Sequence, residues 1–219
     1  MDQLTVDRLK SEAKDFCTQL TGRAIPELYG ATDGKAVGTY VEHAFRDHLA
    51  RQYDFELGSS ASGIDFPSLN VDLKVTSIKQ PQSSSPFLDA TQKVYGLGYH
   101  LLVLVYKKED DQSAEAARLD ILHALFIDAR RTSDYQTTTG ILGILDRDGN
   151  NDDLTAFFEE RNLPLDEIGR RQLADRVLNE APNQGYLTVS NALQWRLQYG
   201  RAIGLAADGE AEGLQELLS

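Results

Sequence analysis

Asp72 and Lys74 stand two residues apart in a stretch where apolar and polar side chains alternate. Leu69, Val71, Leu73 and Val75 fall on one side, and Asn70, Asp72, Lys74 and Thr76 on the other. A period of two predicts a half-buried strand over 69–76 and places the carboxylate and the ammonium on one face. Asp65 enters just before that strand and can turn its own carboxylate toward Asp72. Two hard oxygen ligands suit Mg²⁺, which keeps several waters and accepts a phosphate oxygen. Such an ion stabilises charge developing on phosphorus and lowers the pKa of a bound water. A neighbouring lysine would hold that water and offset negative charge. The chemistry these three side chains suit is hydrolysis of a phosphodiester. Taken alone, Asp-x-Lys reads better as a solvated surface pair with Asp65 a turn residue, because three-residue patterns recur by chance. Asp65, the clean alternation and an upstream helix together tip the reading toward a site.

That helix carries the fourth candidate, Glu42. From near Gly34 to Val37 onward, Val37, Val41, Ala44, Phe45 and Leu49 form one apolar stripe at helical spacing. Glu42 lies beside the stripe, where a carboxylate reaches the edge of a buried face. It reads equally as a solvated helix glutamate or as the i, i+4 partner of Arg46. Glycines and serines from Gly58 to Gly63 mark a turn between this helix and Asp65.

The remaining elements frame those two. Thr5 is placed to cap a first helix with Leu9, Ala13, Phe16, Cys17 and Leu20 on one face, ended by Gly22. Residues 80–86, rich in Gln, Ser and Pro, read as an exposed loop, and 87–96 as a short helix. His100 to Tyr106 (HLLVLVY) is a fully buried strand by composition, and 119–127 another central strand. From about Asp152 the pattern is helical over 153–161, 165–180 and 190–203, with Pro164, Pro182 and Gly185 as separators. A helical start, a strand-rich middle and a helical end predict an α/β domain over 1–205, with 152–205 its mainly helical portion and 206–219 a loosely ordered end.

Composition sets outer limits. With 41% hydrophobic and 26% charged residues the 219-residue chain is of ordinary globular type. No stretch approaches 18 uninterrupted apolar residues, and Met1 to Thr5 shows no basic segment leading into an apolar one, so a cytoplasmic protein without membrane association is expected. The single Cys17 excludes an internal disulfide or a cysteine-based zinc cluster, and reads as a small buried hydrophobe. A net charge of −12 weighs against nucleic acid, but it is unevenly placed. Residues 1–108 hold 12 Lys+Arg against 13 Asp+Glu; residues 109–219 hold 10 against 21. The half containing the candidate site is close to neutral.

The run Lys35 to Glu42 (KAVGTYVE), followed by DFPSLNVDLK at 65–74, resembles the PD-(D/E)XK nucleases, in particular MutH, the mismatch-repair nickase, and the restriction enzymes related to it. The resemblance covers roughly a fifth of the chain; its motifs are specific in combination and weak singly. It implies a restriction-endonuclease-like fold, a central mixed β-sheet flanked by helices. It also implies a metal site made of Glu42, Asp65 and Asp72 with the Leu73 backbone carbonyl, beside a catalytic Lys74. Asp72 stands where MutH has glutamate, which is similar to EcoRV and HincII. Pro86-Phe87, a helix, then Tyr99 to Tyr106 follow in an order similar to EcoRV. MutH has a second lysine in its site, for which Lys93 is a loose positional match and equally a solvated helix lysine.

The function implied is that of a type II restriction endonuclease, cutting double-stranded DNA at a short sequence with Mg²⁺, for which Mn²⁺ can substitute. Such an enzyme is expected as a homodimer, paired in function with a cognate DNA methyltransferase. Lys79, Gln80, Gln82, Ser83 and Ser84 follow the catalytic strand and could read a groove, although a bland loop has the same composition. Arg130, Arg131, Thr132 and Gln136 form a second candidate set, with Thr132 or Ser133 equally a helix cap. Arg196 and Arg201 could touch phosphates, while Trp195 and Tyr199 are more often core. His43, His48, His100 and His123 lack metal-ligand spacing and read as structural. Two other functions remain open: a MutH-like nickase acting with a repair partner, and a non-catalytic DNA-binding protein keeping a relic of the fold.

Overall fold

Thr5 opens the first helix as its position predicts, its hydroxyl accepting from the Arg8 amide. The computed structural model describes residues 2–58, 63–85, 89–190, 195–209 and 211–219, and nothing of the Trp195 side chain. In chain order the first elements are β1 (Asp2–Gln3), α1 (Val6–Leu20), β2 (Ala24–Ile25), α2 (Gly34–Ala50), β3 (Tyr53–Asp54), β4 (Val71–Ser77) and β5 (Gln82–Ser85). Then come α3 (Gln92–Tyr95), β6 (His100–Asp111), β7 (Ala116–Ile127), α4 (Tyr135–Leu145), α5 (Asn151–Glu160) and α6 (Glu167–Asn179). The last are β8 (Thr188–Val189), β9 (Trp195–Gln198), α7 (Gly200–Asp208) and β10 (Leu214–Glu216). Two compact units make up the chain.

The first unit comprises Met1–Ser83, His100–Ile127 and Leu205–Ser219. Its sheet is mixed, in the order β10-β7-β6-β4, with β2 also paired to β7. β4 runs parallel to β6, with Asp72 opposite Leu101 and Lys74 opposite Val103. β6 and β7 run antiparallel. Leu101 to Val105 are completely buried, as an unbroken apolar run predicts. α1 packs on β7 and α2 on β4. The stripes predicted for both helices are the buried ones: Leu9, Ala13, Phe16, Cys17 and Leu20 of α1 meet Val37, Val41, Phe45 and Leu49 of α2 over Leu73, Leu102 and Leu104. The expected α/β class, with helices on a mixed central sheet, is what this unit forms.

The end of the chain, read from sequence as loosely ordered, carries β10. Leu214, Gln215 and Glu216 pair with Ile127, Phe126 and Leu125. Glu216 fastens it, accepting from the Ala124 amide at 2.9 Å and meeting His123 Nδ1 at 2.8 Å. Three residues are too few for a periodic signal, so only the neighbouring strand makes this segment a strand.

The second unit, Ser84–Tyr99 and Asp128–Gly204, has its own core. Val94, Ile141, Leu154, Phe158, Leu173 and Val177 come together from α3, α4, α5 and α6. A three-stranded sheet, β5-β9-β8, overturns two local expectations. The stretch 80–86 is no simple exposed loop, because Gln82–Ser85 forms β5. The stretch 190–203 is not one helix; β9 occupies part of it and α7 starts at Gly200. Within β9, Arg196 and Gln198 are exposed while Leu197 is buried, a period of two within a four-residue segment. Residues 86–88, which include Pro86-Phe87, lie outside the described residues.

Candidate active site

Six residues separate Asp65 from Asp72, and a tight reversal closes that gap. Phe66 and Val71 exchange backbone hydrogen bonds at 3.0 and 3.2 Å. Pro67 starts a single 3-10 turn through Leu69, and Asn70 adopts the left-handed conformation with φ 55° that turns the chain into β4. Proline presets the first turn position, and asparagine is among the few side-chain-bearing residues that enter the left-handed region readily. Asp65 therefore returns alongside the strand it precedes. Its Oδ2 accepts from the Leu73 amide at 3.0 Å. That amide is free to do so because β4 ends the sheet order, with β6 on its other side.

Gly58 supports Asp65 from behind. Its amide donates to the Asp65 carbonyl at 2.9 Å. A Cβ built on Gly58 would fall 1.8 Å from the Ile64 carbonyl oxygen, so only glycine permits the approach. The turn expected over Gly58–Gly63 thus has an identifiable task at its first residue; residues 59–62 lie outside the described set.

Asp72 and Lys74 form a close ion pair, Nζ to Oδ2 at 2.6 Å. The carboxylate is 3% exposed and the ammonium side chain 22%, so the pair reaches solvent through the lysine. Burial pushes the Asp72 carboxyl up, Lys74 pulls it down, and a hydrogen bond with the Asp65 carboxyl raises it again. The strand face predicted as polar is therefore a covered one at Asp72 and also at Thr76. The Thr76 hydroxyl accepts from the Gln82 amide at 3.0 Å, folding the following residues over it.

Glu42 and Arg46 come from α2, on its face toward this edge. Glu42 is half-buried, and burial foremost pushes its carboxyl up, followed by repulsion from Asp65 and opposed by Lys74, Arg46 and His43. Mutual influence of this kind brings all four predicted residues, Glu42, Asp65, Asp72 and Lys74, into one neighbourhood. Arg46 does not serve as the intrahelical partner of Glu42 that its spacing allowed. Its Nη2 is instead bonded to Asp65 Oδ1.

Asp65 and Asp72 fit a hard divalent ion: both offer carboxylate oxygens, and the Asp65 carboxyl acts directly on that of Asp72. Among the described residues, no three Asp, Glu, His or Cys side chains form a metal-holding group. An ion that retains most of its waters needs only one or two protein carboxylates.

A family model, Type II restriction enzyme NspV, matches residues 3–216. The chain belongs to that family. A protein of Nostoc sp. (strain ATCC 29411 / PCC 7524), described as type II restriction enzyme NspV, is 54% identical over 214 residues, covering 98% of this chain and 96% of its own. No solved structure matches the chain. Membership in the NspV family bears out the restriction-endonuclease expectation. Double-stranded DNA as the partner and a divalent ion as the cofactor agree with it. No helix among the described residues is long and apolar enough to cross a membrane.

The residues expected to read DNA in this NspV-family chain fall in different settings. Lys79 and Gln80 are exposed on the turn straight after β4, Gln82 and Ser83 are half-buried, and Ser84 is exposed. Arg130 is exposed, and Arg131 lies over the Tyr186 ring at 5.3 Å with Nη1 on the Gln184 carbonyl. Thr132 is fully buried; its hydroxyl accepts from the Leu97 amide and donates to the Ala129 carbonyl. That is a structural role, and the cap of α4 is Asp134 rather than Thr132 or Ser133. Gln136 is exposed and accepts from Arg161. Lys93 is not a solvated helix lysine: it is 5% exposed, and burial lowers its pKa against the raising effect of Asp134. Tyr199 is core, and Arg201 lies over the Tyr135 ring. His48 and His123 are structural, bonded to Glu12 and Glu216. Sequence reasoning missed Arg46 and Gly58 as parts of the site. Arg46 reaches Asp65 nineteen residues on, where helical spacing pointed it to Glu42, and the Gly58 contact with the Asp65 segment depends on how the intervening turn closes.

Proposed function

We propose that this chain is a metal-dependent type II restriction endonuclease of PD-(D/E)XK type whose cleavage centre is Asp65, Asp72 and Lys74. The carrying observation is the buried Asp72 carboxylate, held by Lys74 Nζ at 2.6 Å and by the Asp65 carboxyl, at the free edge of β4. Asp65, Asp72 and the Leu73 carbonyl would hold Mg²⁺, or Mn²⁺ in its place. When bound, the ion supplies charge stabilisation at the scissile phosphate and acidifies a coordinated water. Lys74 presents its ammonium beside Asp72, where it orients the attacking water and offsets charge on the phosphate. Leu73, through its amide, fixes the direction of the Asp65 carboxylate. Glu42, half-buried on α2, would add a further carboxylate for the ion or for one of its waters. Lys79 and Gln80, exposed immediately after β4, are positioned for DNA, with Arg130 and Gln136 as further contacts.

Cutting both strands takes two such centres, so the working form is a symmetric homodimer on a palindrome. A cognate methyltransferase would protect the host site. The test is digestion of phage DNA with Mg²⁺ followed by end sequencing, run beside Asp72→Asn and Lys74→Ala. One recurrent cut sequence is expected for the parent, with a loss of at least about 10²-fold in each variant, the scale for removing one transition-state group. Undiminished cleavage by either variant would remove these residues from the centre. Plasmid that stops at open circles would instead indicate a nickase.

A further inference from the structure

Arg46 is a cation the expected site did not include, and its surroundings give it a definite task. It lies one helical turn beyond Glu42 on α2, so both side chains leave the same face. Its Nη2 occupies Asp65 Oδ1, while Oδ2 of the same carboxylate is taken by the Leu73 amide. Both oxygens of Asp65 are thus engaged by the protein itself. Asp72 is engaged likewise, by Lys74 and by the Asp65 carboxyl. The Arg46–Asp65 pair is largely withdrawn from water, with side-chain exposures of 27% and 17%, so solvent screens it weakly. Yet Arg46 Nε is buried with no hydrogen-bond partner. A guanidinium with its terminal nitrogen on a carboxylate and its Nε unused is not seated as in a finished structural fork, where several of its five donors would be matched.

We propose that Arg46 is a positioning residue that acts as the resident counter-ion of Asp65: it holds the carboxylate in the metal-free protein and gives up Oδ1 when a divalent ion loads. This rests on the two-aspartate site proposed above and adds a cost to metal loading in the absence of DNA. With Arg46 and Lys74 both present, the three carboxylates Glu42, Asp65 and Asp72 are partly neutralised, and a divalent ion must compete with a cation already in place. A DNA phosphate arriving at the site supplies a new anion for the released guanidinium, so metal and DNA would load together.

The test uses Mn²⁺ as the probe and the free protein without DNA, reading the loss of the free-ion electron paramagnetic resonance signal. Wild type, Arg46→Met, Arg46→Lys and Asp72→Asn are titrated in parallel. Arg46→Met keeps the aliphatic stem and removes the charge; it is expected to bind Mn²⁺ at least about fivefold more tightly than wild type, because a unit charge a few ångströms from a partly buried cation site weighs heavily. Arg46→Lys, which restores the charge, is expected within about twofold of wild type. Equal or weaker binding by Arg46→Met, with binding that still depends on Asp72, overturns the role of Arg46 and leaves the aspartate site standing. No Asp72-dependent binding in wild type or Arg46→Met overturns both. A second readout needs no loss of charge or fold: the Arg46 Nε–H resonance of wild type, assigned by its disappearance in Arg46→Lys, is followed as Mg²⁺ is added. It is expected to shift in step with occupancy, and a resonance that stays fixed as the site fills contradicts the exchange.

Discussion

At the scale of single residues, the site concentrates groups placed at some expense to stability. Asp72 keeps a carboxylate where burial resists its charge, and the Lys74 ammonium is what makes that tolerable. Replacing Asp72 by Asn is therefore expected to abolish cleavage while leaving the melting temperature unchanged or higher, the usual trade between function and stability. A melting temperature several degrees lower would show that the ion pair holds the fold. Gly58 makes the opposite case, a residue without chemistry that the site requires. Gly58→Ala would drive a Cβ into the Ile64 carbonyl and displace Asp65. The expected result is a destabilisation of about 1–3 kcal/mol by overpacking, with a loss of cleavage larger than that destabilisation explains. Equal cleavage per folded molecule would contradict it. Cys17 is inert by environment, its thiol pushed up to about 12 by burial first and by the Glu216 charge second. Since the unfolded thiol ionises near 9.0, its contribution to stability is complete below that pH and is lost as pH rises from there toward about 12. Wild type is expected to lose stability relative to Cys17→Ala over that window, by up to about 1.4 kcal/mol per pH unit, measurable in paired urea melts.

At the scale of elements, the reversal from Phe66 to Val71 decides whether Asp65 meets Asp72 at all. The proline, the 3-10 turn and the left-handed Asn70 are its local instructions. Asn70→Gly should be accepted, whereas Asn70→Val should cost about 1–2 kcal/mol, the penalty for a branched side chain in that conformation. Cleavage should fall further than stability in the valine variant, because the Asp65 carboxylate shifts with the turn. Denaturant melts and cleavage rates measured on the two variants check both parts. The alternating pattern of 69–76 and the stripes of α1 and α2 were legible because each runs for several periods and meets a single neighbour. Short strands such as β5, β9 and β10 carry too few periods to announce themselves. Their pairing comes from a partner, which is why 80–86, 190–203 and the tail were read otherwise.

At the scale of the whole molecule, charge and symmetry set the conditions for DNA. The excess of 21 acidic over 10 basic residues in 109–219 repels a polyanion, while residues 1–108, which hold the site, are near balance. A homodimer is the expected working form, and sedimentation should give twice the chain mass of 24.3 kDa. A monomer that still produced linear plasmid without open-circle intermediates would argue against paired centres.

By itself the sequence determined the residue types of the proposed centre, the strand and helix that carry them, and the family to which they point, because these depend on local spacing and on a motif of adjacent positions. Only the tertiary structure decided that Arg46 turns to Asp65 rather than to Glu42, that Gly58 backs the Asp65 segment, that Thr132 is structural and that the tail is a strand. Each of those outcomes depends on how the folded chain brings side chains and backbone together rather than on a repeating pattern. Such contacts are selected by the electrostatics and packing of the folded protein, which no local period records.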